Sequence, residues 1–403
     1  MRFLLYHHKN RVLSEYVKKF SILSDFDRDE SYNVEILSLP QQNNHDDFAE
    51  LPESIRRLLF FAKPDLVICF DDDKNPIKPI FAFEHTQHVP ARDHWMQRFV
   101  NLVGCAQEGI PGAYIIPFSM QNRPNFTGVI DSVFFFAYDR IMDIHKIPFY
   151  IAEWETADGQ TLKPDLEFPF MPDHTSKDIK NAFLFLNLVI KAAIQENDFR
   201  NLMSDRLIVD LRIQIRGIAY KSIPKISDFK RLSQNMPNDN FLINSELETW
   251  LDRKGMSLPP HLPDRIIKRN KNLIFAPQLY DEESRSEVRL KLLERIHKRG
   301  GDPYLGQPLA FDYIFCRLGE TPYQRDANLV IDLSVLSFSD LANYHKQVWS
   351  NCPLQIEEFG NLTNIPKYTL YLTKGCPQVI KNFLRVYAFT ADIIVFSDGI
   401  IYF

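Results

Sequence analysis

The 403 residues carry 47 Lys and Arg against 52 Asp and Glu, a formal net charge of −5, with 45% hydrophobic and 25% charged residues. These are the proportions of an ordinary globular protein, and the length suggests two or three domains. No window reaches the eighteen or so uninterrupted apolar residues of a membrane span, and the charge lacks the overall basic excess of a dedicated nucleic-acid binder, so any basic surface must be local.

The first nine residues, Met1 to Lys9, are too short and too quickly polar for a signal peptide. Five cysteines, an odd number with no CxxC pair, point to a reducing compartment, and the expectation is a cytoplasmic protein. Residues 2–8 read as a short apolar strand, and Asn33 to Leu39 alternates as a half-buried strand does. The polar stretch Gln41–Asp47 reads as a loop. Pro52 stands at a first helical position, and the helix it opens must stop before Pro64. Asp65 to Phe70 and Ile80 to Thr86 are two apolar runs joined by a polar turn at Asp71–Pro76, the pattern of adjacent buried strands. A helix over about 92–106 presents Trp95, Phe99, Leu102, Val103 and Ala106 at helical spacing, and Gly109, Pro111 and Gly112 lead into a strand at 113–118. The order helix, strand, strand, helix, strand predicts an α/β module with a partly parallel sheet.

Beyond residue 125 the signals are weaker. Phe149–Trp154 with the Asp158-Gly159 turn reads as a hairpin, Ser176–Asn197 as a long amphipathic helix, and Asp281–Arg299 as another helix. Leu329–Leu333 and Thr369–Leu372 read as strands. The final Ile393–Phe396, Ser397-Asp398-Gly399, Ile400–Tyr402 is a hairpin pattern. The expected division is a core over 1–135 and an α+β region over 136–403.

The chemistry concentrates between Pro64 and Phe118. If the two apolar runs lie side by side, Asp65 at the start of one and Glu84 near the end of the other project at one sheet edge. Two carboxylates, a backbone carbonyl and water suit Mg²⁺, a hard cation that polarises phosphates and activates water. Pro64-Asp65, the turn and Glu84-His85-Thr86 resemble the PD-(D/E)XK nucleases, and with Arg92–Phe99 they look most like type II restriction endonucleases. The resemblance covers roughly the first third of the chain. It implies a restriction-endonuclease-like core, a mixed central sheet flanked by helices, with Asp65, Glu84 and His85 at a Mg²⁺ site. It places Thr86 where the family has a lysine, followed by Gln87. Some members bring a basic residue from the following helix, and Gln97 and Arg98, or Arg92, are candidates for that role, with Lys78 less natural.

Blander readings stand beside these. Asp71, Asp72 and Asp73 read as a solvated turn rather than ligands, Glu53 as a surface acid, and His85, His88 and His94 lack the cysteine partners and spacing of a common zinc site. Arg206, Arg212, Arg216, Lys221, Lys225, Lys230 and Arg231, with Arg265, Lys268, Arg269 and Lys271, are either phosphate contacts or a solvated basic face. The expectation is a site-specific endonuclease on double-stranded DNA, forming a homodimer to read a palindrome. The alternatives are another nuclease of repair or defence, or an inactive nucleic-acid-binding protein.

Overall fold

The computed structural model describes residues 1–8, 11–39, 50–61, 63–86, 92–117, 132–156, 161–221, 223–226, 240–276, 306–320, 324–337, 339 and 389–402, apart from the side chains of 60–61 and 92–97. The chain divides into two compact units, Met1–Ile223 and Pro224–Phe403. The boundary expected at 135 therefore falls later, because α5 (Ser132–His145), β6 (Phe149–Glu153) and two further helices belong to the first unit.

The first unit is built on a six-stranded sheet in the order β2-β1-β3-β4-β5-β6. Its remaining strands are β1 (Arg2–His7), β2 (Asn33–Ser38), β3 (Leu66–Asp71), β4 (Lys78–His85) and β5 (Gly112–Ile116). β1 and β2 are parallel and flank the connecting helix α1 (Arg11–Phe20) in sequence; a short helical turn α2 (Leu23–Phe26) follows α1. β3 runs antiparallel to β1 and β4, while β4, β5 and β6 are parallel. All of β3, all of β5 and all of β4 beyond Lys78 are buried, which explains why these runs read as continuously apolar rather than alternating. The sheet is thus mixed, as expected. The hairpin expected at 149–154 is instead a parallel strand at the sheet edge, paired to β5; an antiparallel bridge between Thr156 and Leu162 follows it, and the Asp158-Gly159 turn lies outside the described residues.

Side-chain alternation sorts the sheet into two faces. Phe81, Phe83, Ala113 and Tyr150 share one face by register, and Phe185 of α6 (Lys177–Ile194) packs on Phe81 and Tyr150 there. Ala82, Glu84, Gly112, Tyr114 and Phe149 share the other. That face is covered by α4 (Arg92–Gln107) and α5, with Phe134 against Phe99 and Tyr114, and Tyr138 against Phe149. The helix opened by Pro52 is α3 (Glu53–Phe61).

Gly112 allows the close pairing of β4 with β5. A Cβ there would stand 2.6 Å from the Ala82 carbonyl oxygen, a backbone atom that cannot turn away. Gly112→Ala is expected to cost about 1–3 kcal/mol, read as a lowered melting temperature. An unchanged melting temperature would contradict the packing described.

Two of the basic residues expected on the surface are consumed inside this unit. Asp139 on α5 is fully buried and accepts from Arg212 Nε at 2.8 Å and Arg216 Nε at 2.7 Å, both on α7 (Arg206–Ala219). Asp143, one turn on, takes a second nitrogen of each arginine. These side chains clamp α5 to α7.

The second unit holds a four-stranded sheet, β10-β9-β8-β7, from β7 (Asn272–Phe275), β8 (Asn328–Leu333), β9 (Ile393–Phe396) and β10 (Gly399–Tyr402). The first three listed are mutually parallel, and β9–β10 is the expected terminal hairpin. Leu247 and Leu251 of α8 (Asn244–Asp252) and Ile266 of α9 (Asp264–Arg269) join Ile274, Val330, Ile393 and Val395 in one apolar cluster. Arg269 is again internal, bonded to Asn328 and Asp392. Arg317 and Arg325 meet Asp312, which follows α10 (Gly306–Phe311), in a buried ion-pair network. The strand expected at 369–372 and the helix at 281–299 lie outside the described residues.

Candidate active site

The register of β3 and β4 brings the two acids together. Leu66 pairs with Phe83, so the residue before Leu66 stands opposite the residue after Phe83: Asp65 faces Glu84 across the hairpin, on one side of the sheet. Because β4 and β5 are parallel and β3 is antiparallel to them, this pair lies at the carboxyl edge of β4 and β5, where open α/β sheets place their ligands.

α4 crosses the same face and supplies the groups that meet the acids. Arg98 and Asn101 stand three residues apart and so share one side of the helix. Arg98 Nη1 donates to Glu84 Oε2 at 2.6 Å and to Asp65 Oδ2 at 3.1 Å. One nitrogen thus spans both carboxylates, placing their oxygens inside the ~6 Å reach of groups that share a metal. Asn101 Nδ2 donates to the other Glu84 oxygen, while Asn101 Oδ1 accepts from the backbone of Lys63 at 3.2 Å. The His85 backbone N–H donates to Asp65 Oδ2 at 2.9 Å. Asn101 was missed from sequence; its only signal was a polar residue three places after a candidate arginine.

Burial grades across the site. The Glu84 side chain is 4% exposed, Asp65 27% and Arg98 31%, so Glu84 is the floor and the other two are the lip. Burial, then the charge of Asp65, pushes the Glu84 carboxyl up to about 8, against the pull of Arg98 and Asn101. Burial raises Asp65 as well, against Arg98 and the His85 amide. Burial disfavours the Arg98 charge, but Glu84 and then Asp65 outweigh it and hold the guanidinium above its usual range. When both carboxyls are ionised they exceed the one guanidinium by a negative charge. Burial is the main cause of both raised carboxyls, and a divalent cation at the pair would favour their charged forms.

The shifted Glu84 predicts a pH effect with a definite sign. Its folded value of about 8 lies above the usual 4.5, so between these limits the folded state holds a proton that the unfolded chain has released. Stability contributed in this way is complete below about 4.5 and is lost as pH rises toward 8. Metal-free urea unfolding from pH 5 to 8.5 should show that decline, and Glu84→Gln should flatten it. Equal slopes for both proteins would contradict the assignment.

The remaining candidates fall in several places. His85 turns its ring to the opposite sheet face, stacked on Trp154 with centroids 5.1 Å apart, and burial, then Arg98, depresses it to about 3, so it is neutral at working pH. Its contribution to the acid pair is therefore its backbone. Thr86 extends the β4–β5 pairing through its N–H to Ile115 O at 3.1 Å and is partly exposed. Gln87 and His88 lie outside the described residues, as do the side chains of Arg92, His94 and Gln97. Glu53 is exposed, and Asp72 folds the turn after β3 by accepting from Lys74 and Asn75; Asp71 pairs with Arg2. The second cluster of possible ligands, Asp165, Asp173 and His174, is explained by folding: both Asp165 oxygens accept hydrogen bonds, from Glu167 and Phe168 on one side and His174 on the other.

No protein-family model, curated protein or solved structure matches the chain. Among the described residues no helix is long and apolar enough to cross a membrane. The functional reading accordingly rests on the geometry of Asp65, Glu84, Arg98 and Asn101.

Proposed function

We propose that the chain is a Mg²⁺-dependent endonuclease that hydrolyses phosphodiester bonds of double-stranded DNA at specific sites, in the manner of a restriction enzyme. The observation that carries this reading is the acid pair set side by side at the carboxyl edge of the sheet, with an arginine reaching it from the next helix. The donor set fits the ion: two carboxylates, which are hard oxygen donors. When bound, Mg²⁺ supplies polarisation of the phosphate and a more acidic attacking water.

The residues divide the remaining work. Asp65 and Glu84 would hold the ion. Asn101 fixes the Glu84 rotamer by occupying its second oxygen, and the His85 amide fixes Asp65. Arg98, at the lip, is placed to meet a phosphate oxygen with a donor geometry matched to it. It thereby takes over part of what a lysine at the Thr86 position would do. Arg206, Lys221, Arg265 and Lys268 are exposed and could meet the DNA backbone, Arg206 and Lys268 from beside Asp210 and Asp264 on their own helices; Arg212, Arg216 and Arg269 are committed to carboxylates inside the fold. A palindromic target would be met by a symmetric dimer.

One observation favours a second reading, a nucleic-acid-binding protein that does not cut: Arg98 already neutralises part of the acid pair as a structural ion pair would. Digesting a plasmid of known sequence with the purified protein separates the two. The expected result is a discrete set of fragments that requires Mg²⁺ and disappears with EDTA. A smear indicates a nuclease without site preference, and intact plasmid in Mg²⁺ or Mn²⁺ supports the second reading.

A further inference from the structure

Resting on the metal site proposed above, one feature of its geometry extends that reading to how the site is loaded. Arg98 Nη1 stands 2.6 Å from Glu84 Oε2 and 3.1 Å from Asp65 Oδ2. A cation shared by the same two oxygens needs distances of about 2.0–2.6 Å to each. It therefore competes for the space that this nitrogen occupies, and two positive groups that close repel strongly. The acids cannot serve both at once.

The surroundings decide which partner moves. Glu84 is buried, and its second oxygen is held by Asn101, which is itself tied to the Lys63 backbone. Asp65 is held by the His85 amide. Among the described residues the hydrogen bonds of Arg98 run to the acids themselves, and nearly a third of its side chain is exposed. It can withdraw toward solvent while the carboxylates stay in place.

We propose that Arg98 is an exchangeable plug: it holds Asp65 and Glu84 together in the empty site, and moves onto a phosphate of the bound nucleic acid when a divalent cation takes its place. A phosphate that draws Arg98 out makes cation entry easier, and by linkage the cation strengthens phosphate binding by the same factor. Free cation without nucleic acid meets a guarded site, which restrains loading until substrate is present.

The test measures Mn²⁺ affinity by titration calorimetry without nucleic acid, on the wild type, Arg98→Gln and Arg98→Lys, with melting temperatures recorded alongside. Arg98→Gln removes the competing charge and should bind Mn²⁺ at least ~5-fold tighter, the low end of ordinary coupling. Without metal it should melt lower than the wild type, and Mn²⁺ should raise its melting temperature by more. Arg98→Lys keeps the charge but loses the planar fork, and should fall between the two; if Arg98→Gln does not fold, this variant decides the matter. Wild type that binds Mn²⁺, with binding lost in Glu84→Gln but no tighter in either Arg98 variant, overturns the plug and leaves the metal site standing. If no protein of the set binds Mn²⁺, the metal site fails and the plug with it.

Discussion

Asp65→Asn and Glu84→Gln should each lower cleavage by several orders of magnitude while leaving the fold intact. Each change removes one negative charge at nearly constant size. Mg²⁺ is held largely by anionic oxygen, so its affinity falls, and polarisation of the phosphate and activation of water both depend on it. DNA binding should persist or tighten, because less negative charge then faces the phosphates. Folding should persist because both carboxyls are already raised by burial, so neutralising either relieves part of that cost. The check is a paired measurement on each variant, with melting temperature and DNA affinity set beside single-turnover cleavage. Cleavage near the wild-type rate with collapsed stability would make the two acids structural.

The largest expected effect on stability lies elsewhere, at Asp139. This side chain is fully buried between Arg212 and Arg216 and also accepts from Tyr220 Oη at 3.3 Å. Asp139→Ala takes from Arg212, whose side chain is only 15% exposed, its fully buried partner and leaves it Asp143 alone. Breaking a buried pair from one side costs about 3–5 kcal/mol, and Asp143, itself partly exposed, compensates the two arginines only in part. For a unit of this size that corresponds to a melting temperature lower by roughly 10 °C. A change of only a degree or two would mean that Asp143 alone suffices to hold both arginines.

The contrast between these two sites explains what the sequence made legible. Asp65 and Glu84 were readable because each stands at the end of an apolar run, where a charge has no obvious reason to be, and because the short turn between the runs forces antiparallel pairing. That pairing puts the acids opposite one another without further information. The strands β1 to β5 and the long helix α6 followed from the same local patterns. The Asp139 clamp was not readable: Arg212 and Arg216 lie 73 and 77 residues from Asp139, and a basic helix face that binds carboxylates looks in sequence like one that binds phosphates. The hairpin read from Phe149–Trp154 and the nearby Asp-Gly survives only as the antiparallel Thr156–Leu162 bridge and the Lys163 N–H to Glu155 O bond, whereas the β6 strand itself pairs with β5 from across an intervening helix. Asn101 was missed because its role depends on which way α4 rolls against the sheet, and that is set by tertiary packing of Phe99 on Phe134 rather than by the helix alone. The domain boundary was placed early for a related reason: α5, α6 and α7 complete the layers of the first sheet, but nothing local ties them to it.

The most direct test of the metal centre is a crystal soaked in Mn²⁺, with the ion located by its anomalous signal. The account predicts a peak within about 2.0–2.6 Å of an oxygen of both Asp65 and Glu84, with the Arg98 guanidinium moved off the pair. No peak there at saturating Mn²⁺, or a peak only at Asp165, Asp173 and His174, would contradict it.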